Sequence, residues 1–275
     1  MMFSRSQLCE GFRALGIAPG DTVMVHASVR AVGPIAGGPD QIHLALKDAL
    51  TGEGTMMMYP ACPDAYDEIG RGFHDEATER EILEKLPVWD AQTARSARDN
   101  GTLVEFFRTS PGTVVNDHPA RFAAWGKQAG YLFSSQPWSY AFGHGSPLER
   151  FVELGGKILL IGSDHDQVTF LHYAEHVVDI PDKIVAKYKV PVLVDGERVW
   201  RDQEEFDTSE RAHANWPDRF FARLVDTYLA NTGNRGGRVG NADCVLFDAR
   251  GLNDFSLQIM TALASHPRAA DHLHP

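Results

Sequence analysis

Gly143-His144-Gly145-Ser146-Pro147, then Gly156-Lys157-Ile158-Leu159-Leu160-Ile161-Gly162, then Leu171-His172-Tyr173-Ala174-Glu175-His176 follow one another within 34 residues. The middle piece is a short apolar run between glycines, the mark of a buried strand, and the third reads as a helix. A histidine is thereby placed on a helix just beyond a strand end, where open α/β sheets carry their chemistry. If the chain is an enzyme, His172 belongs near its centre.

Outward from this stretch the pattern alternates. Phe3 to Leu15 reads as an amphipathic helix capped by Ser4 or Ser6 and ended by Gly16, and Asp21 to Val25 as a first buried strand. Pro39 to Leu50 has apolar residues at helical spacing, and Thr55 to Tyr59 is a second strand between Gly54 and Pro60. This strand–helix–strand unit predicts a parallel pair. Further helices are expected at 75–86, 103–108, 219–229 and 251–263, and short strands near Val114-Val115 and over 243–248. Lys187 to Trp200 carries a hairpin signature around Asp195-Gly196. The expected class is therefore α/β, a mixed central sheet flanked by helices, in one domain over 1–265. The stretch 64–101 is expected to leave the sheet and wall a pocket, and 266–275 to fray.

Composition sets the outer limits. The 275 residues are 43% hydrophobic and 23% charged, enough to bury a full core. No apolar run approaches the roughly 20 residues that span a bilayer, and the first residues lack a signal-peptide core. The expected location is cytoplasmic. Cys9, Cys62 and Cys244 fit neither a disulfide framework nor a metal clip. A net charge of −11 argues against nucleic acid and anionic membrane, and favours a cationic ligand.

Five pieces in order carry a resemblance: Val25-His26-Ala27-Ser28-Val29-Arg30-Ala31-Val32-Gly33, Asn116-Asp117-His118-Pro119, Gly143 to Arg150, Gly155 to Gly162, and Leu171-His172-Tyr173-Ala174-Glu175. Together they resemble the aminoglycoside 3-N-acetyltransferases, whose antibiotic N-acetyltransferase fold is unrelated to the common GNAT acetyltransferase fold. The resemblance implies an acyltransferase that moves an acetyl group from acetyl-CoA to the 3-amino group of the deoxystreptamine ring, conferring antibiotic resistance. It implies acetyl-CoA as co-substrate, a cationic aminoglycoside as partner, no metal, and a monomer or homodimer.

Such a transfer needs a base for the attacking amine, donors for the developing oxyanion, and close placement of both substrates. An imidazole titrating near ~6.5 suits the base, and a carboxylate can fix its tautomer. His172 takes that role. The resemblance points to Glu205 and Asp207 as its acidic partners, with Glu205 preferred to orient His172 and the other to face the substrate cation. An exposed acidic turn is the plainer reading of both. Ser28, Val29, Arg30 and Gly33, in the glycine-rich loop after the first strand, are implied to bind coenzyme A. Asp64 and Asp67, with Glu68, lie beyond the second strand as candidate contacts for acceptor amines, or as a solvated loop. His144 is a candidate substrate contact. Glu175 shares the helical face of His172 and either contacts substrate or pairs with a lysine. His26 and His118 match pocket positions, yet fit a hydrogen-bonded structural role equally well. From Cys62 and Asp64 to Pro87 the chain looks longer than the family pattern, which bears on which acceptors fit.

Four rival readings stand beside this one. His172 to His176 satisfies H-x-x-E-H, a zinc-hydrolase motif. Cys62 could act as a nucleophile, although its neighbours supply nothing to depress its pKa. A non-catalytic binder of cationic drugs would use the same acidic pocket, and the other acetyltransferase reading has a non-aminoglycoside amine as acceptor.

Overall fold

The computed structural model describes residues 2–181, 183–208, 216–266 and 268–273. Among the described residues nine strands appear in chain order: β1 (Thr22–Ala27), β2 (Thr55–Met58), β3 (Val114–Val115), β4 (Ala123–Gly126), β5 (Lys157–Ile161), β6 (Val185–Val194), β7 (Glu197–Phe206), β8 (Gly237–Val239) and β9 (Ala242–Asp248). Seven of them form one sheet in the order β3-β4-β2-β1-β5-β9-β8, and β6 and β7 form a separate ribbon. β1 lies parallel to β2 and to β5, as the strand–helix–strand spacing predicts, while the outer strands run antiparallel. The sheet is therefore mixed.

Period-2 alternation divides the strands between two cores. Val23, Val25, Met56, Met58, Leu159 and Ile161 pack with Phe12, Leu46 and Phe107 of the helices Arg5–Leu15, Asp40–Leu50 and Thr102–Arg108. Met24, Met57, Ile158, Leu160 and Phe247 face the opposite side, against Phe151, Leu171, Leu224 and Leu252. His26 follows Met24 by two residues. It therefore points to the face on which the His172 helix lies. Ser4 caps the first helix reciprocally with Gln7, and Gly16 ends it with φ +110°.

The segment 64–101 does leave the sheet. It contains the charged helix Glu76–Lys85 and packs Tyr66, Ile69, Leu86 and Trp89 against Tyr188 and Val190 of the ribbon. Arg121, fully buried beside β4, fastens it. Its guanidinium donates to the carbonyls of Ala61, Ala91, Ala94 and Arg95. No carboxylate shares those bonds, and burial draws the guanidinium down to about 10. The tail departs from the expectation of fraying: Ala270 and Leu273 are buried in the core beside Leu263. Two apolar side chains spaced to meet that core outweigh the lack of a periodic pattern. Positions 267, 274 and 275 lie outside the described residues.

Candidate active site

His172 stands on the short helix Leu171–Val177, which begins ten residues after β5 ends. It lines a cavity of about 220 Å³ with Asp166, Glu175, Thr208, Trp216 and Phe221. Its ring lies between Phe142 at 5.3 Å and Phe221 at 5.1 Å. Three residues on, the buried Glu175 accepts from Nδ1 of His172 at 2.5 Å. With Nδ1 held as the N–H by a carboxylate, Nε2 is the unprotonated nitrogen. The pairing with a lysine does not occur: Lys183 donates instead to the carbonyl of His176 at 2.9 Å.

Glu205 does not meet His172. Its buried carboxylate accepts from the Ala141 N–H at 2.7 Å, from Phe206 N–H at 3.2 Å and from Nε2 of His176. The reason is helical geometry. One turn separates the two histidines, and His176 uses Nδ1 to reach the His172 carbonyl at 2.6 Å, which aims Nε2 at the ribbon. Both ring nitrogens of His176 are thus engaged, so the zinc reading would have to break two buried bonds. Among the described residues no cluster of three or more His, Cys, Asp or Glu side chains could hold a metal ion. Asp207 lies 3.5 Å from the guanidinium of Arg71.

A second cleft, about 350 Å³, opens where β1, β2 and β5 end. His26, Ser28, Tyr59, Asn100, Gly101, Ser163 and Asp164 line it. Parallel strands ending at one edge create such a crevice. Ser28 follows β1 and caps the turn Val29–Val32, its hydroxyl accepting from Ala31 N–H at 3.4 Å. Val29 and Arg30 continue that turn, and Gly33 closes it at φ +88° with Asn241 where a Cβ would point. His26 is held neutral, drawn down to about 4 by burial and by the positive charge His172 would carry. This second cleft and the His172 cavity are therefore electrostatic neighbours through His26.

The remaining candidates separate. Asp67 pairs with Arg71 at 3.0 Å, and burial raises its carboxyl against the pull of that guanidinium. Asp67 and Glu205 both bear on the buried hydroxyls of Tyr59 and Tyr188, which are raised chiefly by burial. Glu68 is taken by His74 at 2.8 Å, and Asp64 is exposed on the turn Asp64–Tyr66. His144 is exposed and bound by Glu149 at 2.7 Å at the start of the helix Pro147–Glu153, away from His172. His118 is structural: Nδ1 accepts from Ala120 N–H at 2.9 Å and Nε2 donates to the Trp138 carbonyl at 3.0 Å. Cys62 is buried, and its thiol is pushed well above the usual range, as suits a packing residue. The sequence reading did not single out Phe142, Phe221, Tyr59 or Arg71. Only Arg71 carried a signal, as a cation inside an acidic stretch.

Fold and site together define a mixed α/β protein with a carboxylate-held histidine beside a crevice at the ends of parallel strands, the equipment of a group-transfer enzyme. Residues 24–261 match the family model described as aminoglycoside 3-N-acetyltransferase. The chain is 39% identical over 256 residues to an aminoglycoside N(3)-acetyltransferase III of Pseudomonas aeruginosa, covering 93% of this chain and 92% of that one. It is 38% identical over 268 residues to an aminoglycoside N(3)-acetyltransferase VII of Streptomyces paromomycinus, covering 94% and 91%. Among solved structures, AAC-IIIb in binary complex with CoASH superposes with a TM-score of 0.86 at 38% identity, covering 94% of this chain and 97% of that one. Sisomicin-bound AAC-VIa gives 0.87 at 35% identity, covering 96% and 100%. The chain belongs to the aminoglycoside 3-N-acetyltransferase family and is an acyltransferase. No helix among the described residues is long and apolar enough to cross a membrane.

Proposed function

We propose that this protein transfers the acetyl group of acetyl-CoA to the 3-amino group of an aminoglycoside, directly and with His172 as general base. The observation that carries the reading is the His172–Glu175 pair, which leaves Nε2 free at the wall of the His172 cavity. The amine nitrogen attacks the thioester carbonyl, its proton passes to Nε2, and the carbon–sulfur bond breaks to release the coenzyme A thiolate. Glu175 stabilises the imidazolium formed in that step. The proton then leaves with the thiol, and no covalent enzyme intermediate forms.

In this reading the co-substrate enters by the crevice lined by Ser28, with Val29, Arg30 and Gly33 shaping its rim. The CoASH complex of a relative of 38% identity supports that choice of ligand. The acceptor's positive charges suit a chain of net charge −11, and the sisomicin-bound relative supports an aminoglycoside. Glu205 acts through His176 as a positioning residue, and Asp67 and Asp207 bound the acceptor side through their pairing with Arg71. Acetylation removes one positive charge and its donors, weakening attraction to RNA phosphates.

Release of free thiol from acetyl-CoA, measured against a panel of aminoglycosides and simpler amines, tests the proposal. Thiol should appear only with an aminoglycoside, and His172→Ala should lower kcat by ~10²-fold or more while acetyl-CoA binding persists. Full turnover by the alanine variant would remove His172 from the role. Release with simple amines but no aminoglycoside would move the acceptor to another class.

A further inference from the structure

Arg71 lies in the stretch where the chain looks longer than its family pattern, and its side chain is only 14% exposed. The guanidinium reaches Asp67 at 3.0 Å and Asp207 at 3.5 Å, and stands over the rings of Phe73 at 5.4 Å and Tyr188 at 5.9 Å. Aromatic faces on two sides and carboxylates on two others fix it in place. Arg71 and Asp207 together line a cavity of about 330 Å³ against Ile184, Val185 and Lys187. The next residue, Thr208, lines the His172 cavity. Asp207 and Thr208 are neighbours in the chain, so the segment that follows β7 borders both spaces.

A carboxylate pair flanked by aromatic rings is what an acceptor ammonium would seek, and here the chain fills it with a cation of its own. We propose that Arg71 sets acceptor specificity: it occupies, between Asp67 and Asp207, the place of an acceptor ammonium, so the recess favours acceptors presenting a hydroxyl there. The inference rests on the acetyltransferase reading above. It also accounts for Asp67 and Asp207 being held by a side chain rather than left open to substrate.

The test uses pairs of aminoglycosides that differ by one amine in place of a hydroxyl at different ring positions, neomycin against paromomycin and kanamycin B against kanamycin A. For each pair the ratio of kcat/KM, amine over hydroxyl, is measured for the wild type, Arg71→Gln and Arg71→Lys. A unit charge removed from about 6 Å in a partly open recess corresponds to about tenfold in binding. Arg71→Gln should raise the ratio by about tenfold for at least one pair, mainly through KM, whereas Arg71→Lys should leave it within about threefold. Asp207→Asn, which keeps Arg71 and removes a counter-charge, should lower the same ratio, and it serves if the glutamine variant fails to fold. Ratios unmoved for every pair, with both KM values rising together, would overturn the inference and leave Arg71 a packing residue. Absence of thiol release by the wild type with every aminoglycoside would instead overturn the acetyltransferase reading, and this inference with it.

Discussion

Replacing Glu175 by glutamine isolates the electrostatic contribution of the acid paired with His172. The side chain is buried, 4% exposed, and its carboxylate lies 2.5 Å from Nδ1 of His172. Glutamine has the same shape, so packing against the neighbouring helices is kept. Two unit charges about 4 Å apart attract by about 4 kcal/mol at an effective dielectric of 20, and the remaining amide dipole recovers part of that. A net loss of about 2–4 kcal/mol for the imidazolium translates into a kcat/KM lower by about 30- to 10³-fold. If the amide presents its NH₂ to Nδ1, the proton moves to Nε2 and the base is lost altogether. The assay is thiol release from acetyl-CoA across pH 5.5–8.5, with the melting temperature as control. A glutamine variant that melts like the wild type and turns over within about threefold of it would refute the pairing as a catalytic device.

Two further outcomes concern the frame. His118 is held neutral and drawn down to about 4 from 6.5 by burial, so its folded pKa lies below its unfolded one. The unfolded chain therefore binds more protons between those values, and the stability present above pH 6.5 is lost as pH falls toward 4, by about 3 kcal/mol from this group. Denaturant melts at pH 7 and pH 4.5 should differ less for His118→Asn than for the wild type; an equal difference would refute the assignment. Arg121→Leu strands the carbonyls of Ala61, Ala91, Ala94 and Arg95, and should cost about 3–5 kcal/mol. Proteolysis of that variant should begin within 64–101 before the core opens; cleavage at the wild-type rate would show that the segment is held by its apolar contacts alone.

The parallel centre of the sheet was legible because β1, β2 and β5 are apolar runs bounded by glycine, proline or charge, with a helix of clear 3.6-residue period between the first two. The ribbon was legible from Asp195-Gly196, whose positive φ angles of 52° and 84° are those of a tight hairpin turn. β4 was not: Ala123-Ala124-Trp125-Gly126 has no β-branched residue, and it becomes a strand only because β2 and β3 flank it. β8, Gly237-Arg238-Val239, is likewise made by its partner β9. At the site, His172 was placed by a local signal, the strand end followed by a helix. Its partner was misassigned to the ribbon. A contact three residues away on one helix and a contact across 33 residues are equally consistent with the sequence, and only packing decides between them.

That packing has a physical logic. A carboxylate buried like that of Glu205 must be given donors, because an unpaired charge there costs several kcal/mol. It takes them from the loop at Ala141, from its own ribbon at Phe206 and from His176, so one side chain joins three segments around Phe142. Phe142 in turn stacks on His172 at 5.3 Å and meets Tyr59 at 5.7 Å, at the end of β2. The ribbon's acidic end thus reaches the reacting histidine through a packed ring and one helical turn. Glu175 is the carboxylate that touches His172, while Glu205 fixes where that ring sits.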